Sequence, residues 1–591
     1  MTAWKQTQFL LPSICLTTLL LIGCASEEPA PVSSSPSQTP ETPPASPIQF
    51  TQSDSLASAD VRYHNSVETG HDSILESLGG GVGISDFDLD GQIDLCFPSG
   101  GILKDRTITG LPSRLLRQTG PDQFDDVSAG AMIDEPRHYS HGCSVADFNA
   151  DGFPDMLITG YDGLTLWVNM GDGTFLDGTE EARLDDKEWS TSAAWTDFNG
   201  DGHLDLYVTH YVNWSFDNDP ECNGPSGVRD VCPPRRFEGI DDVLYLANGD
   251  GTFRNATAEA GLIASGKGLG VVTADLDIDG DMDCYVANDT TPNFFYVNDG
   301  TGVFQEEGLA SGLALDDMGT PNGSMGLAIL DYDGDGKPDI GVSNYERELF
   351  ALYQNLGSAT FQHASRMTGL NRIGNLFVGF GCVTGDFDAD GDEEITVANG
   401  HVVHRPLNAP VRQQPLMLTN QGDGVFERID PEQLGGYFQE HSLGRGLATG
   451  DINRDGLLDL VFVNTNDPAV LLYNNSHSLN EEDTPHGLHL HLSGVNAPRD
   501  AIGTWAELIT DKGTQVRHLC GGGSYLSTNE TALHWHWKPS VTPRELRVHW
   551  PGGNVTSIPW SDLKQDEQSV VSCLIVEPAT PDAPAALHFR R

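Results

Sequence analysis

Apolar residues along this chain come in short runs, each closed by glycine, asparagine or aspartate, and the pattern recurs. The stretch 268–308 shows one full period. Gly268–Ala274 is a run of small and β-branched residues, Cys284–Ala287 and Phe294–Val297 follow, the turn Asn298–Gly302 intervenes, and Val303–Gln305 closes the unit. Runs this brief, bounded by turn residues, predict strands rather than helices, with a hairpin at the turn. Related turns lie at Asn169–Phe175, Asn248–Phe253 and Asn420–Phe426. Four strands per unit, repeated seven times, predict units that must stack to bury their apolar faces. The fold class expected is all-β, a seven-bladed β-propeller whose glycine-rich first strands form the crowded inner ring. An open solenoid is the alternative. The segment 51–85 is expected to supply strands that complete the last blade.

Between the first and second strand of every unit lies a nine-residue acidic loop, D-x-[DN]-x-D-G-x-x-[DE]. The seven copies start 61, 50, 78, 56, 55 and 65 residues apart. In chain order they offer, at positions 1, 3, 5 and 9, Asp86, Asp88, Asp90 and Asp94; Asp147, Asn149, Asp151 and Asp155; Asp197, Asn199, Asp201 and Asp205; and Asp275, Asp277, Asp279 and Asp283. The last three offer Asp331, Asp333, Asp335 and Asp339; Asp386, Asp388, Asp390 and Glu394; and Asp451, Asn453, Asp455 and Asp459. These are called loops 1 to 7. Oxygen ligands at this spacing, with glycine at position 6 to turn the backbone and a carbonyl at position 7, suit a hard divalent cation. Up to seven Ca²⁺ ions are expected, against the alternative of solvated acidic turns. Clustered carboxylates repel one another without a cation, so folding is expected to depend on the metal.

Composition sharpens this picture. The 591 residues carry 32 Lys plus Arg against 86 Asp plus Glu, a formal charge of −54, and seven divalent cations would leave most of that charge in place. Such a field disfavours nucleic acid and anionic membrane surfaces as partners and favours cations and basic ligands.

The N-terminus reads as an export signal over residues 1–23. Lys5 precedes the apolar run Phe9–Ile22, which is too short for a stable membrane span, and none is expected in the mature chain. Leu21-Ile22-Gly23-Cys24 resembles the bacterial lipobox, implying lipidation of Cys24; an ordinary signal peptide that contains a cysteine is the alternative. With Ala25 next, the sorting rule of two-membrane bacteria implies the outer membrane, so the expected location is the bacterial cell envelope, facing periplasm or exterior. Residues 24–50, rich in proline and serine, are expected to form an extended tether. Cys222 and Cys232 sit in a Pro/Gly/Asn-rich loop and are expected to pair, and Cys520 with Cys573 is an open second pairing. Cys96, Cys143, Cys284 and Cys382 lie in apolar strands and read as small buried hydrophobes.

The glycine-rich strand, acidic loop and following strand together resemble the FG-GAP/VCBS repeats of integrin-α-type propellers. Asn288-Asp289, Ser324–Gly326 and Asn399–Val402 resemble stretches of the cartilage acidic protein family. Arg499–Trp505, Gly521–Ser527, Leu533–Trp535 and Val548–Gly553 resemble the ASPIC/UnbV domain. The implied organisation is a signal at 1–23, a tether at 24–50, the propeller at 51–480, a small β-rich ASPIC/UnbV-like domain at 484–577 and a tail at 578–591. The resemblance implies extracellular-matrix or calcium binding without a settled catalytic role. Asn149, Asn199, Asn453 and Glu394 depart from the repeat pattern, and weaker or altered cation binding is expected there.

In this strand order the calcium loops share one face, and the second-to-third loops share the other with the connections between blades. Those loops carry His210, Tyr211, Asn288, Asp289, Asn344, Tyr345, Asn399 and His401, which would suit a glycan or protein ligand if they converge. The competing role for each Asn is to cap its strand end. The insertion Asn213–Gly239 falls on the same face and is placed to cover the axis. His401 and His404 with His210 or His441 are candidates for a transition-metal site. No nucleophile elbow, P-loop or dinucleotide fingerprint is present. The leading function is a lipid-anchored, calcium-binding adhesion module; the alternatives are a polysaccharide-active enzyme, with His401 or Asp289 as acid or base, and a scaffold in a surface assembly.

Overall fold

In the computed structural model the described residues are 48–374, 376–476, 486–563, 570–580 and 583–589. The expected signal, Cys24 and nearly all of the tether lie outside them. The chain is all-β, built mainly from successive four-stranded antiparallel sheets. The second sheet is typical, with Tyr139–Ala146, Asp155–Tyr161, Gly163–Asn169 and Phe175–Asp177 pairing in sequence order. The fourth runs Gly268–Ala274, Asp283–Asn288, Phe294–Asn298 and Phe304–Glu306, matching the strands expected there. The seventh takes Gly444–Gly450, Asp459–Asn464 and Val470–Asn474 from the C-terminal side and its outer strand, Phe50–Gln52, from the N-terminal side. Only those first residues complete the last sheet. Residues 55–77 form three 3₁₀ turns instead, and Gly83–Ser85 opens the first sheet. A hairpin, Gly101–Lys104 with Thr107–Gly110, interrupts the first sheet without a sequence signal.

The first strands of neighbouring sheets approach too closely for side chains. A Cβ on Gly326 would lie 2.0 Å from the Phe380 carbonyl, and one on Gly446 would lie 2.1 Å from that of Gly80. Gly446 N–H donates to Gly80 O at 3.0 Å and Gly81 N–H to His141 O at 2.9 Å, linking the first sheet to both the seventh and the second. Each core is a layer between two sheets. Val383, Ala398 and Met417 pack on Leu447, Phe462 and Leu472 between the sixth and seventh. Ile84, Leu95 and Leu116 share a cluster with Ala448, Val461 and Leu471, from the first and the seventh.

Residues beyond 485 form two further sheets. One orders Leu533–Trp537, His486–Ser493, Val570–Val576 and Ala586–Phe589, with the middle pair parallel; the other orders Thr514–His518, Trp505–Thr510, Pro543–His549 and Val555–Pro559. Leu488, Leu490, Leu508, Trp535, Leu546 and Cys573 fill the space between them. Cys573 is thus buried in this core, whereas Cys520 packs against the cluster shared by the fourth and fifth sheets. Both are free thiols, so the open second pairing is not made.

Between the two C-terminal sheets, residues 521–530 leave their own domain and run among the first strands. Thr528 N–H donates to Val82 O at 2.9 Å beside the first sheet, and Leu526 O accepts from Cys143 N–H of the second at 3.0 Å. Leu526 N–H donates to Ser192 Oγ of the third at 3.2 Å, and Gly523 N–H to Val271 O of the fourth at 2.8 Å. Ser524 exchanges backbone bonds with Leu327 of the fifth, while its hydroxyl donates to Leu447 O of the seventh at 2.6 Å. The Tyr525 ring meets Phe380 of the sixth edge-on at 4.9 Å. One decapeptide therefore touches all seven sheets. The glycines at 521–523 allow it: a Cβ on Gly521 would lie 2.1 Å from Trp195 O.

Candidate calcium loops and the opposite face

Every acidic loop is wired alike. The position-1 carboxylate accepts the N–H groups of positions 5 and 6, as Asp86 does from Asp90 at 3.0 Å and Gly91 at 2.9 Å. Asp275, Asp331, Asp386 and Asp451 repeat the pair. Position 9 accepts from the end of the third strand and, in most loops, also from position 2. Asp94 does both, from Phe87 N–H at 3.1 Å and Gln118 N–H at 2.9 Å. Glu394 makes the same two bonds, from Phe387 at 2.9 Å and Asn420 at 3.3 Å, so its extra methylene changes little. Where position 3 is Asn, its amide oxygen accepts the position-5 N–H, at 2.9 Å for Asn149, 3.0 Å for Asn199 and 2.9 Å for Asn453. Asp88 takes that same bond at 3.3 Å, so the amide oxygens stand where the carboxylates do.

These carboxylates fit a divalent cation. Burial pushes Asp94, Asp155, Asp205 and Asp339 up to about 8, and raises Asp283, Asp459 and Glu394 well above the carboxylate range. Asp155 Oδ2 and Asp388 Oδ1 are buried with no hydrogen-bond partner in the protein. In loops 1, 4, 5 and 6, three carboxylates each offer an oxygen within 4.8 Å of the others. Oxygens brought this close and stripped of water need a positive charge or protons among them. Several of the acidic clusters can therefore hold a divalent cation.

A second network ties most loops to the neighbouring sheet. Asn298 Nδ2 donates to Phe198 O, Asn355 to Leu276 O, Asn420 to Tyr332 O and Asn474 to Phe387 O, each from the third strand of one sheet to loop position 2 of the preceding one, at 2.8–3.1 Å. In the first sheet the place is taken by Gln118, whose Nε2 reaches Ile452 O of loop 7 at 3.2 Å. The C-terminal domain reaches the position-1 residues of three loops. Arg499 Nε lies 3.2 Å from Asp147 Oδ2, while Asp500 accepts Asp147 N–H at 2.7 Å. His536 Nδ1 lies 3.4 Å from Asp386 Oδ2, and His489 Nδ1 lies 3.1 Å from Asp451 Oδ2. The Nε2 atoms of both histidines meet the carbonyl of Gly456 in loop 7. Sequence reasoning missed these partners, because a strand-like His534-Trp-His536-Trp shows nothing of what lies across the domain boundary.

The opposite face differs from the expected ring of exposed side chains. His210, Tyr211, Asn288, Asn344, Asn399 and His401 are all buried. His210 spends both nitrogens, on Asp241 O at 2.6 Å and Asp186 Oδ2 at 2.8 Å, so it cannot join His401 and His404 around a metal. Burial opposes protonation of His210, but the Asp186 carboxylate outweighs it and raises the pKa. Asn288, Asn344 and Asn399 donate to the nearby carbonyls of Pro292, Leu349 and Gln414, which is the strand-end capping role. The structure brings the remaining residues together as two adjoining pairs. Tyr211 O–H donates to Asp289 at 2.6 Å, and the Tyr345 and His401 rings meet edge-on at 5.5 Å. Burial lifts Asp289 to about 6 and lowers His401 to about 4.

For Tyr211 the reason is a cover, formed in part by the insertion expected to lie over the axis. Residues of the 213–239 insertion, including Trp214, Val231 and Phe237, join Leu56, Ile74 and Leu75 of the N-terminal turns in one apolar cluster with Tyr211. Cys222 and Cys232 are disulfide-bonded within that insertion. Asp230 then accepts the N–H groups of His404 and Arg405 at 2.8 and 3.0 Å, reaching from the third sheet's insertion to the sixth sheet's loop. Two grooves stay open beside the cover. One of about 430 Å³ is lined by Arg62, Arg412, Tyr437, His441, Asn464 and Asp467 among others. The other, of about 700 Å³, is lined by Arg137, His138, Asp162, Asp177, Arg183 and Lys187 among others. Arg137, His138, Arg183, Lys187 and His441 sit in connections between sheets, whereas Arg412 lies in the loop between the sixth sheet's second and third strands.

Among the described residues, no helix is long and apolar enough to cross a membrane. FG-GAP-like repeat models match residues 147–208, 275–342 and 331–397, and the ASPIC and UnbV model matches 494–572. Cartilage acidic protein 1 of Mus musculus is 25% identical over 56% of this chain and 48% of its own length. The Xenopus tropicalis protein of that name is 25% identical over 62% of this chain and 52% of its own. The chain thus spans about half the length of the curated relatives it matches. A lectin from Burkholderia pseudomallei aligns over 67% of this chain and 96% of its own at 12% identity, with a TM-score of 0.40 that carries no functional argument. The bacterial-envelope location expected from the leader is corrected by these relatives, which are vertebrate proteins. With FG-GAP-like repeats, an ASPIC and UnbV domain and this homology, the chain belongs to the cartilage acidic protein family.

Proposed function

We propose that the chain is a calcium-stabilised binding and adhesion module: a closed seven-bladed propeller over residues 51–480, pinned by up to seven Ca²⁺ ions, with the 484–577 domain seated on its calcium side. Ring closure is supported by Gln118, which repeats towards loop 7 the bond that the third-strand asparagines make towards their preceding loops. The ligand, a glycan or a protein, docks on the face away from the calcium loops. The observation that carries this assignment is the 430 Å³ groove at the far ends of the seventh sheet's strands, within the size range of small-ligand sites. The exposed Arg412 and His441 give it guanidinium and imidazole hydrogen-bonding groups, while the buried Tyr437 and Asn464 bond to each other at its base. His210, Asn288, Asn344 and Asn399 act instead as the scaffold beneath that surface.

A glycan and peptide array compared between the wild type and an Arg412→Ala/His441→Ala variant tests the assignment. The variant is expected to lose about tenfold or more in affinity for any ligand found. Equal binding by both proteins would remove the groove from the account.

A further inference from the structure

We propose that Cys96 and Cys143 form a disulfide in the mature protein, tying the first sheet to the second. Cys96 lies in the second strand of the first sheet, directly opposite Gly83 in the first strand. A Cβ on Gly83 would fall 2.6 Å from Cys143 Sγ and 3.5 Å from Cys143 Cβ. The Cys143 side chain, from the first strand of the second sheet, therefore occupies the space that a residue other than glycine at 83 would fill. That space adjoins Cys96, because cross-strand partners point to the same side of a sheet. Both are free thiols in this structure, and the neighbouring Cys96 thiol, together with burial, raises the Cys143 pKa. Both are buried in one cluster with Val145, Met156 and Ile158.

The location gives the link a purpose. The inner strand of the first sheet is only three residues, Gly83–Ser85, against eight for Tyr139–Ala146 and seven for Gly444–Gly450 on either side. It pairs with the rest of its sheet through three residues only. A covalent bond between Cys96 and Cys143 closes a loop of 47 residues at that position and restricts the unfolded chain there. The disulfide between Cys222 and Cys232 belongs to the same molecule, so the pair is expected to meet an oxidising environment too.

Chemically, one thiolate attacks a sulfur of a small-molecule disulfide or a thiol–disulfide oxidoreductase, and the second thiolate then displaces that carrier. The two cysteines lose two protons and two electrons, and the carrier disulfide is reduced to two thiols. Because both sulfurs are buried in the folded chain, the exchange takes place before the first two sheets close on each other.

Peptide mapping of the full chain, produced through an oxidising secretory compartment, tests the proposal. The protein is unfolded without reductant, its free thiols are alkylated, and it is then digested. The expected result is a linked peptide pair containing Cys96 and Cys143 that separates on reduction, with Cys284 and Cys382 alkylated. Recovery of Cys96 and Cys143 as alkylated thiols, whatever the state of Cys222 and Cys232, overturns the proposal. A link from either cysteine to a different partner overturns it as well.

Discussion

Loops 2, 6 and 7 and loops 1, 3 and 4 share one sequence motif and lead different lives. In the first group the C-terminal domain covers the position-1 carboxylates, and Asp147, Asp386 and Asp451 are no more than 3% exposed. Each meets a basic side chain from that domain: Arg499, His536 and His489 respectively. Asp86, Asp197 and Asp275 of the second group remain half-buried, and their loops are wired mainly through their own sheets and the adjacent ones. The contrast separates two duties of one motif. An open loop fixes its own hairpin, whereas a covered loop also forms the floor on which a second domain stands, so that a cation there acts on both.

The largest expected effect is that of removing calcium altogether. Chelation should lower Tm by roughly 10 °C or more, since binding energy at such sites is folding energy. The loss should depend on pH. Asp94, Asp155, Asp205 and Asp339, raised to about 8, hold protons in the metal-free folded state that the unfolded chain has released above about 4. Metal-free stability therefore falls as pH rises from about 4 to about 8. The Tm difference between calcium-loaded and chelated protein should be wider at pH 8 than at pH 5, and a constant difference would count against these carboxylates as ligands.

Next in size is Tyr525→Ala. This ring is fully buried among the first strands, and truncating it should cost about 3–5 kcal/mol in denaturant unfolding. A cost below about 1 kcal/mol would mean that the 521–530 segment is only loosely seated. The comparison between loops is sharpened by Asp386→Asn and Asp197→Asn. The covered-loop change should cost roughly 3 kcal/mol and speed amide exchange across 521–530. The open-loop change should cost about 1 kcal/mol and leave that exchange alone. Identical exchange in the two variants would erase the distinction. The smallest effect concerns His210. Its raised pKa means that its pairing with Asp186 stabilises fully below about 6.5 and is lost as pH rises through the folded value. His210→Gln should flatten the decline in Tm between pH 6 and pH 8 in saturating calcium, and an unaltered slope would remove His210 as its source.

What the sequence made legible is what is local. Position, ligand type and the position-6 glycine sit within nine residues, and the strands that flank each loop follow from apolar runs of matching length. Glu394 and the three asparagines at position 3 depart in sequence yet keep the same bonds, because the loop backbone rather than the side-chain length sets where the oxygens fall. What stayed hidden is what depends on distant chain. The burial of Tyr211 follows from the 213–239 insertion, which the strand order does place on that face, and from N-terminal turns that no periodicity assigns there. Gln118 substitutes for asparagine in one sheet, and its longer side chain concealed the repeat of the inter-sheet bond. The Gly521–Ser527 stretch was recognisable as a motif, but not as the strand that runs among seven others. Cys520 and Cys573 are neighbours in their domain's sequence, yet separate cores hold them.

Whether a ring of sheets is held by cations in equivalent acidic hairpins can be read from a count of bound ions. Metal-depleted protein would be titrated with calcium, and the ions retained per chain measured by elemental analysis alongside the melting curve. Retention should rise to about seven ions per chain, one for each loop wired as loop 1 is, with Tm rising in step. A chain that reaches its full Tm while retaining no calcium would contradict it.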